Sequence, residues 1–375
     1  MAGIYLHIPF CKTRCIYCDF YSTTREDLRQ RYVQALCLEL KERKDYLKEA
    51  TVETVYFGGG TPSQLSEENF DNIFQTLQEV YGLDKTVEIT LEANPDDLTD
   101  EYVHTLRRFP FNRISLGIQT FDDRTLQLLH RRHNAAQAQN AVRRCREAGF
   151  DNISIDLIYG LPGETEKLWE NDLMQALQLH PEHLSAYHLT YEEGTPLYRL
   201  RQEKRVREVD EDMSLKFFSQ LNSTLRQAGY VHYEISNFCL PGKHARHNTS
   251  YWQGIPYLGC GPSAHSFDTR SREWNKASLE TYIQGMEQGK RPYETEVLNA
   301  DTRYNEYVMT GMRTIWGISL DKIRTDFGTE RLDYLQRMAA PHLRRGKIVT
   351  QDGRLRLTEE GIFISDDIIS DLMYV

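Results

Sequence analysis

The first 230 residues repeat one pattern six times, a short β-branched or aromatic run followed by a long amphipathic stretch. The runs stand at 3–8, 52–57, 87–92, 112–118, 153–158 and 184–189. The amphipathic stretches stand at 26–47, 66–81, 99–108, 122–130, 134–148 and 165–179, with Ser66 and Thr99 placed as N-caps. A strand that returns through a helix to a parallel neighbour makes a right-handed crossover, so the series predicts a parallel sheet or barrel. Six units rather than eight predict an α/β fold built as a partial, open, TIM-like (β/α)6 barrel. Apolar residues make up 40% of the 375, enough for that core and a smaller appended domain.

In barrels of this kind chemistry collects at the carboxyl ends of the strands. The loop after the first run carries Cys11, Cys15 and Cys18, and the second run ends in Gly58-Gly59-Gly60-Thr61-Pro62. Glu92 closes the third run, Gln119 and Thr120 the fourth, and Thr190 the sixth. Asp156 lies inside the apolar fifth run, with Tyr159-Gly160-Leu161-Pro162-Gly163 just beyond it. All six strands thus deliver polar or glycine-rich ends to one mouth. The glycines suit either a tight turn or close approach by a ligand. Glu92 suits a strand-end charge, or a hydrogen bond to an amine or a ribose diol. Asp156, flanked by Ile155 and Leu157, needs a partner, because an unpaired buried carboxylate is costly. Arg131, in His130-Arg131-Arg132-His133, fits a solvated face as well as a site.

The cysteine spacings of four and three residues allow three thiolates to share one soft metal centre, the way iron–sulfur clusters are held. A structural zinc ion wants four ligands, and no second Cys/His pair follows at finger spacing. Disulfides need an oxidising compartment, which nothing in the chain suggests. Three ligands with a fourth iron corner left open imply a [4Fe–4S] cluster free to bind something else. The C-x3-C-x2-C spacing, with the aromatic Tyr17 before the last cysteine, resembles the radical S-adenosylmethionine (SAM) signature. That resemblance implies SAM chelated by the open iron through its amino and carboxylate groups, and the same partial barrel. Cys37, Cys145, Cys239 and Cys260 are scattered and read as small buried hydrophobes.

A formal net charge of −10 argues against nucleic acid as a partner, since phosphate backbones call for basic faces. No basic segment precedes the short apolar run Ile4 to Phe10, and no stretch approaches the roughly 18–20 apolar residues that cross a bilayer. A reducing cytoplasm is the expected location, with peripheral contact at the inner membrane face as an extension.

The barrel is expected over 1–230, a linking or cap region over 231–300 and a C-terminal domain over 301–375. The middle region is rich in aromatics, histidines and glycines without helical period, which suggests a pocket wall or cap. On composition alone His247 reads as a hydrogen-bonded structural histidine, with axial ligation of haem iron as the alternative. Beyond residue 300, helical stretches at 302–314, 319–326 and 330–344 precede a hairpin turning at Asp352-Gly353, and a last helix starts near 358. Three helices and a hairpin predict an α+β winged-helix-like module. Its mixed charges favour docking or a lid over DNA.

The whole chain resembles the oxygen-independent coproporphyrinogen oxidase family, and most closely its HemW branch of radical SAM haem chaperones. The resemblance rests on Tyr5-Leu-His-Ile-Pro-Phe-Cys11, Tyr56-Phe-Gly-Gly-Gly-Thr-Pro62, Ile155-Asp-Leu-Ile-Tyr-Gly-Leu-Pro162 and Gly259-x-Gly-x-Ser-Ala264. It implies that Tyr5, Gly59 and Glu92 contact the cluster-bound SAM. It further implies that Tyr17, Gly60, Thr61, Gln119, Arg131, Asp156 and Thr190 match the positions with which the oxidases bind a second SAM. Two features set the branch. Oxidases carry a further cysteine two residues after the third cluster ligand, whereas Cys18 is followed here by Asp19 and Phe20. His247-Asn-Thr-Ser-Tyr-Trp252 matches the His-Asn-x-x-Tyr-Trp signature, whose histidine is implicated in haem binding. The implied partners are haem, acceptor haemoproteins including membrane-bound respiratory ones, and an electron donor, with the protein a monomer or dimer. Coproporphyrinogen oxidase activity is not expected, although the oxidative decarboxylation of coproporphyrinogen III is the competing function.

Overall fold

The computed structural model describes residues 1–48 and 50–375. Six strands run parallel in sequence order: β1 (Ala2–Ile8), β2 (Val52–Gly59), β3 (Glu88–Ala93), β4 (Arg113–Gln119), β5 (Ile153–Tyr159) and β6 (His183–His188). Helices α1 (Arg29–Glu42), α2 (Glu67–Tyr81), α3 (Asp100–Leu106), α4 (Asp123–Leu128), α5 (Ala135–Glu147) and α6 (Glu166–Gln178) fall between them. The near-continuous Val, Ile, Leu and Phe of the strands are buried because helices cover one face and the barrel's own interior the other. Ser66 and Thr99 cap α2 and α3 as expected, each side chain accepting from a backbone N–H three residues on. After α7 (Pro196–Gln202) and α8 (Glu211–Gln227) the chain leaves the repeat.

The linking or cap region expected over 231–300 contributes strands to both edges of this sheet. Strands β7 (Val231–Glu234) and β8 (Asn237–Cys239) extend the edge at β6, β8 running antiparallel to it. Helix α9 (Arg246–Trp252) then crosses to the other side. There β9 (Tyr257–Cys260) pairs in parallel with β1, and β10 (His265–Phe267), β11 (Ser271–Asn275) and, after α10 (Leu279–Glu287), β12 (Tyr293–Val297) complete a sheet of twelve strands. Strands of three to five residues and a seven-residue helix are too short for a period to show in the sequence.

The C-terminal domain packs α11 (Ala300–Met312), α12 (Leu320–Arg344), α13 (Glu359–Ile362) and α14 (Ser365–Leu372) around its own small core. Its antiparallel sheet comprises β13 (Ile318–Ser319), β14 (Ile348–Gln351) and β15 (Arg354–Leu357). Asp352 and Gly353 turn the hairpin with φ of 53° and 69°, the left-handed pair a two-residue type I′ turn requires. Gly328, at φ 87°, breaks α12 where two separate helices were expected. The domain is tied to the barrel by Ile315 N–H donating to the Tyr233 carbonyl and by Phe363 edge-on to Phe218. No helix among the described residues is long and apolar enough to cross a membrane.

Candidate functional site

The carboxyl ends of the six parallel strands open on a cavity of about 450 Å³. It is lined by Cys11, Cys15 and Cys18 from the loop after β1, Gly59, Gly60 and Thr61 after β2, and Glu92 and Asn94 after β3. The far wall brings Gln119, Arg131, Asp156 and Thr190, with Tyr17 beside the cysteines. Twelve of the fourteen residues singled out from the sequence therefore meet in one place. Tyr5 and His247 do not line it.

The thiols are free and half-buried, and two receive donors at sulfur. Thr61 Oγ1 donates to Cys11 Sγ at 3.3 Å, and Arg131 Nη1 to Cys15 Sγ at 3.2 Å. Burial pushes the Cys11 thiol up and the Cys18 thiol to about 11, so the loop favours thiols until a cationic centre draws off their protons. Among the described residues no three His, Cys, Asp or Glu side chains stand together as a single-ion site. The donor set fits an iron–sulfur cluster: three sulfur ligands at one end of a cavity, with a guanidinium and a hydroxyl placed to stabilise thiolate charge.

Arg131 is held by Asn94 Oδ1 at 2.8 Å and by the Gly117 carbonyl, so Asn94 is a site residue that sequence reasoning left unassigned. Its signal was its place in Leu-Glu-Ala-Asn-Pro, two residues past Glu92. Gln119 ends β4 at φ 72°, an unfavourable conformation for a side-chain-bearing residue, after a register shift between Gly117 and Gln119.

Glu92 accepts from Tyr56 Oη at 2.7 Å and from the Gly59 N–H at 3.2 Å. Burial outweighs these bonds, and with Asp156 nearby the carboxyl rises to about 7. Asp156 is raised by burial too, against hydrogen bonds from Ser185 and Ser115. Arg113 lies fully buried in the barrel, its Nε and Nη1 without a partner among the described residues. It lowers the pKa of both carboxyls at longer range.

The glycines serve the protein's own packing. A side chain at Gly60 would meet Ile8 O, Pro9 C and Phe10 O within 2.9 Å, and one at Gly59 would meet the His7 ring. Tyr5 sits a layer below the cavity, its hydroxyl 3.1 Å from His7 Nδ1 and its ring stacked near Tyr56.

His247, expected as a haem ligand, stands apart from the cavity. It lies 1% exposed in the barrel floor at the amino ends of β1 to β3. Its Nδ1 is 2.8 Å from Thr54 Oγ1, its Nε2 is 2.7 Å from Tyr251 Oη, and its ring stacks on Tyr56 with centroids 5.1 Å apart. Burial, reinforced by Arg113, lowers its pKa to about 3 and keeps it neutral. Both nitrogens are engaged by protein hydroxyls, so ligation of an iron would require one of these contacts to open. The structural role read from composition is the one the geometry favours.

Residues 5–176 match the Radical SAM superfamily and residues 298–364 the HemN C-terminal domain. A relative from Mycobacterium tuberculosis described as heme chaperone HemW is 34% identical, covering 99% of this chain and 94% of its own. The heme chaperone HemW of Bacillus subtilis is 31% identical, covering 98% of each chain. Among solved structures, HemN, the coproporphyrinogen III oxidase of Escherichia coli, superposes with a TM-score of 0.85 at 23% identity, covering 99% of this chain and 90% of that one. At that identity the likeness speaks for the fold.

Proposed function

The chain belongs to the HemW family of radical SAM proteins, and from that premise we propose that it is a haem chaperone, binding haem and passing it to acceptor haemoproteins. The observation that carries the reading lies at the cavity rim. Asp19 and Phe20 follow Cys18 there, where the resemblance places a further cysteine in the oxidases, and Phe20 is 66% exposed.

Cys11, Cys15 and Cys18 would hold the [4Fe–4S] cluster, which when bound supplies a single electron and an iron corner able to chelate SAM. The protein's own groups do the rest. Thr61 and Arg131 donate to sulfur and stabilise thiolate. Glu92, oriented by Tyr56, offers a carboxylate to the SAM ammonium group. Asp156, Gln119, Thr190 and Tyr17 line the deeper wall, where the remainder of a SAM molecule, or a second one, has polar partners. The acceptors are haemoproteins, respiratory ones at the membrane among them, and cluster reduction requires an electron donor.

Reconstituted, anaerobic protein should be incubated with haem, and separately with coproporphyrinogen III, SAM and a reductant. A shifted Soret band in the first arm and no protoporphyrinogen in the second is the expected outcome. Turnover in the second arm would overthrow the chaperone reading and leave the decarboxylase in its place.

A further inference from the structure

Two of the three cysteine sulfurs assigned to the cluster are joined through the protein by a chain of hydrogen bonds. Arg131 donates from Nη1 to Cys15 Sγ at 3.2 Å and from Nη2 to Asn94 Oδ1 at 2.8 Å. Asn94 Nδ2 donates in turn to Thr61 Oγ1 at 3.5 Å, and that hydroxyl donates to Cys11 Sγ at 3.3 Å. Asn94 stands in the middle, accepting through its carbonyl on one side and donating through its amino group on the other.

Local structure fixes each member of the chain. Asn94 continues the alternation of β3, so it lines the cavity on the same side as Glu92, two residues before it. Pro95 restricts it to the extended region, where it sits at φ −85° and ψ 140°. Its backbone N–H donates to Ser63 Oγ at 3.3 Å, and that hydroxyl is held in turn by the Asp97 carboxylate. Arg131 is aimed by the turn that ends α4. There His130 takes φ 60° and the Arg131 N–H donates back to the Leu126 carbonyl at 2.8 Å. The Leu129 carbonyl of the same turn accepts from the Ile16 N–H inside the cysteine loop, which fixes the two segments to each other.

Hydrogen bonds to ligand sulfur stabilise the more negative, reduced state of an iron–sulfur cluster and so raise its reduction potential. A guanidinium adds a positive charge that does not titrate. We infer that the Arg131–Asn94–Thr61 bridge sets the reduction potential of the cluster, with Asn94 the positioning residue that locks both sulfur donors in place. A higher potential lets a milder one-electron donor reduce the cluster, and leaves less drive for the electron to pass on to SAM. The inference rests on the cluster that the proposed function places at the three cysteines, and haem does not enter it.

The test is a redox titration of the intact, anaerobically reconstituted chain without SAM, poised with dithionite and mediator dyes and read by electron paramagnetic resonance of the reduced cluster. Asn94→Leu, close in size but without hydrogen-bonding groups, should make reduction about tenfold less favourable, a midpoint about 59 mV lower for one electron. Thr61→Val, which removes the donor to Cys11 alone, should shift the midpoint in the same direction by a smaller step. The double variant should fall by less than the sum of the two, because both changes act on one bridge. Iron content should match the parent's in Thr61→Val, and that variant decides the matter if Asn94→Leu holds too little cluster to read. Parent-like midpoints in the variants, or iron lost with the midpoint of the remaining cluster unmoved, would overturn the inference. Strictly additive shifts would also overturn it, by making the two donors independent of Asn94. A parent that takes up no cluster would instead defeat the cluster reading itself.

Discussion

Glu92 and His247 sit on either side of Tyr56, and their surroundings assign them different work. Glu92 carries a proton below about pH 7 because burial disfavours its charge. In the SAM-free protein the carboxylate available to an ammonium group therefore declines as pH falls through 7. SAM affinity should weaken by up to about tenfold per pH unit in that range. Glu92→Gln should bind weakly and lose this dependence; a pH profile identical to the parent's would remove Glu92 from the SAM site. The folding consequence has the opposite sense. A carboxyl raised in the folded state binds its proton more tightly there, so its burial penalty grows as pH rises from about 4.5 to about 7 and is complete above that. His247 has no such freedom. His247→Ala breaks two buried hydrogen bonds and a ring stack, which should cost about 2–4 kcal/mol in chemical denaturation. The folded fraction should still take up haem. Normal stability together with a lost haem spectrum would restore the imidazole as a ligand.

Among the elements, the junction between β1 and β2 is the tightest. Gly60 is not at a positive φ, yet three backbone atoms of residues 8 to 10 stand where its side chain would grow. Gly60→Ala should therefore destabilise the barrel by about 1–3 kcal/mol and displace the cysteine loop, seen as a lower melting temperature and reduced iron incorporation. Substitution at Gly82, where nothing stands near the added atom, gives the comparison for backbone strain alone. Of the two readings open to the glycine run, tight packing of the turn accounts for Gly60, while Gly59 and Gly60 both still line the cavity. The six long strands were legible because both of their faces are buried, leaving runs such as Ile153 to Ile158 dominated by Ile and Leu, with Ser154 and Asp156 the exceptions. The strands after residue 230 were not, because three to five residues pairing at sheet edges carry no period. The direction in which α9 turns His247 was equally hidden, since two helical turns point in every direction and only packing selects one.

For the molecule as a whole, the parallel strands separate two concavities along their length, the cysteine cavity and a groove between α9 and the C-terminal helices. From Gly3 to Ile8 the chain advances by about 17 Å, at roughly 3.3 Å per residue, between the level of the groove and the level of the cysteines. The cavity is made from the strand ends and loops of the barrel alone, whereas the groove needs the C-terminal domain for one of its walls. No residue lines both. Binding at one end should then survive chemical removal of the other. The triple variant Cys11→Ala/Cys15→Ala/Cys18→Ala should incorporate no cluster, and its haem affinity should stay within about twofold of the parent's, the scatter expected for independent distant sites. The cysteines compete as haem ligands in principle, since thiolates bind ferric iron well. A triple variant that no longer binds haem would place the haem at the strand ends beside Phe20. Retained haem binding together with lost SAM binding would instead establish a carrier whose cargo site does not depend on its cluster.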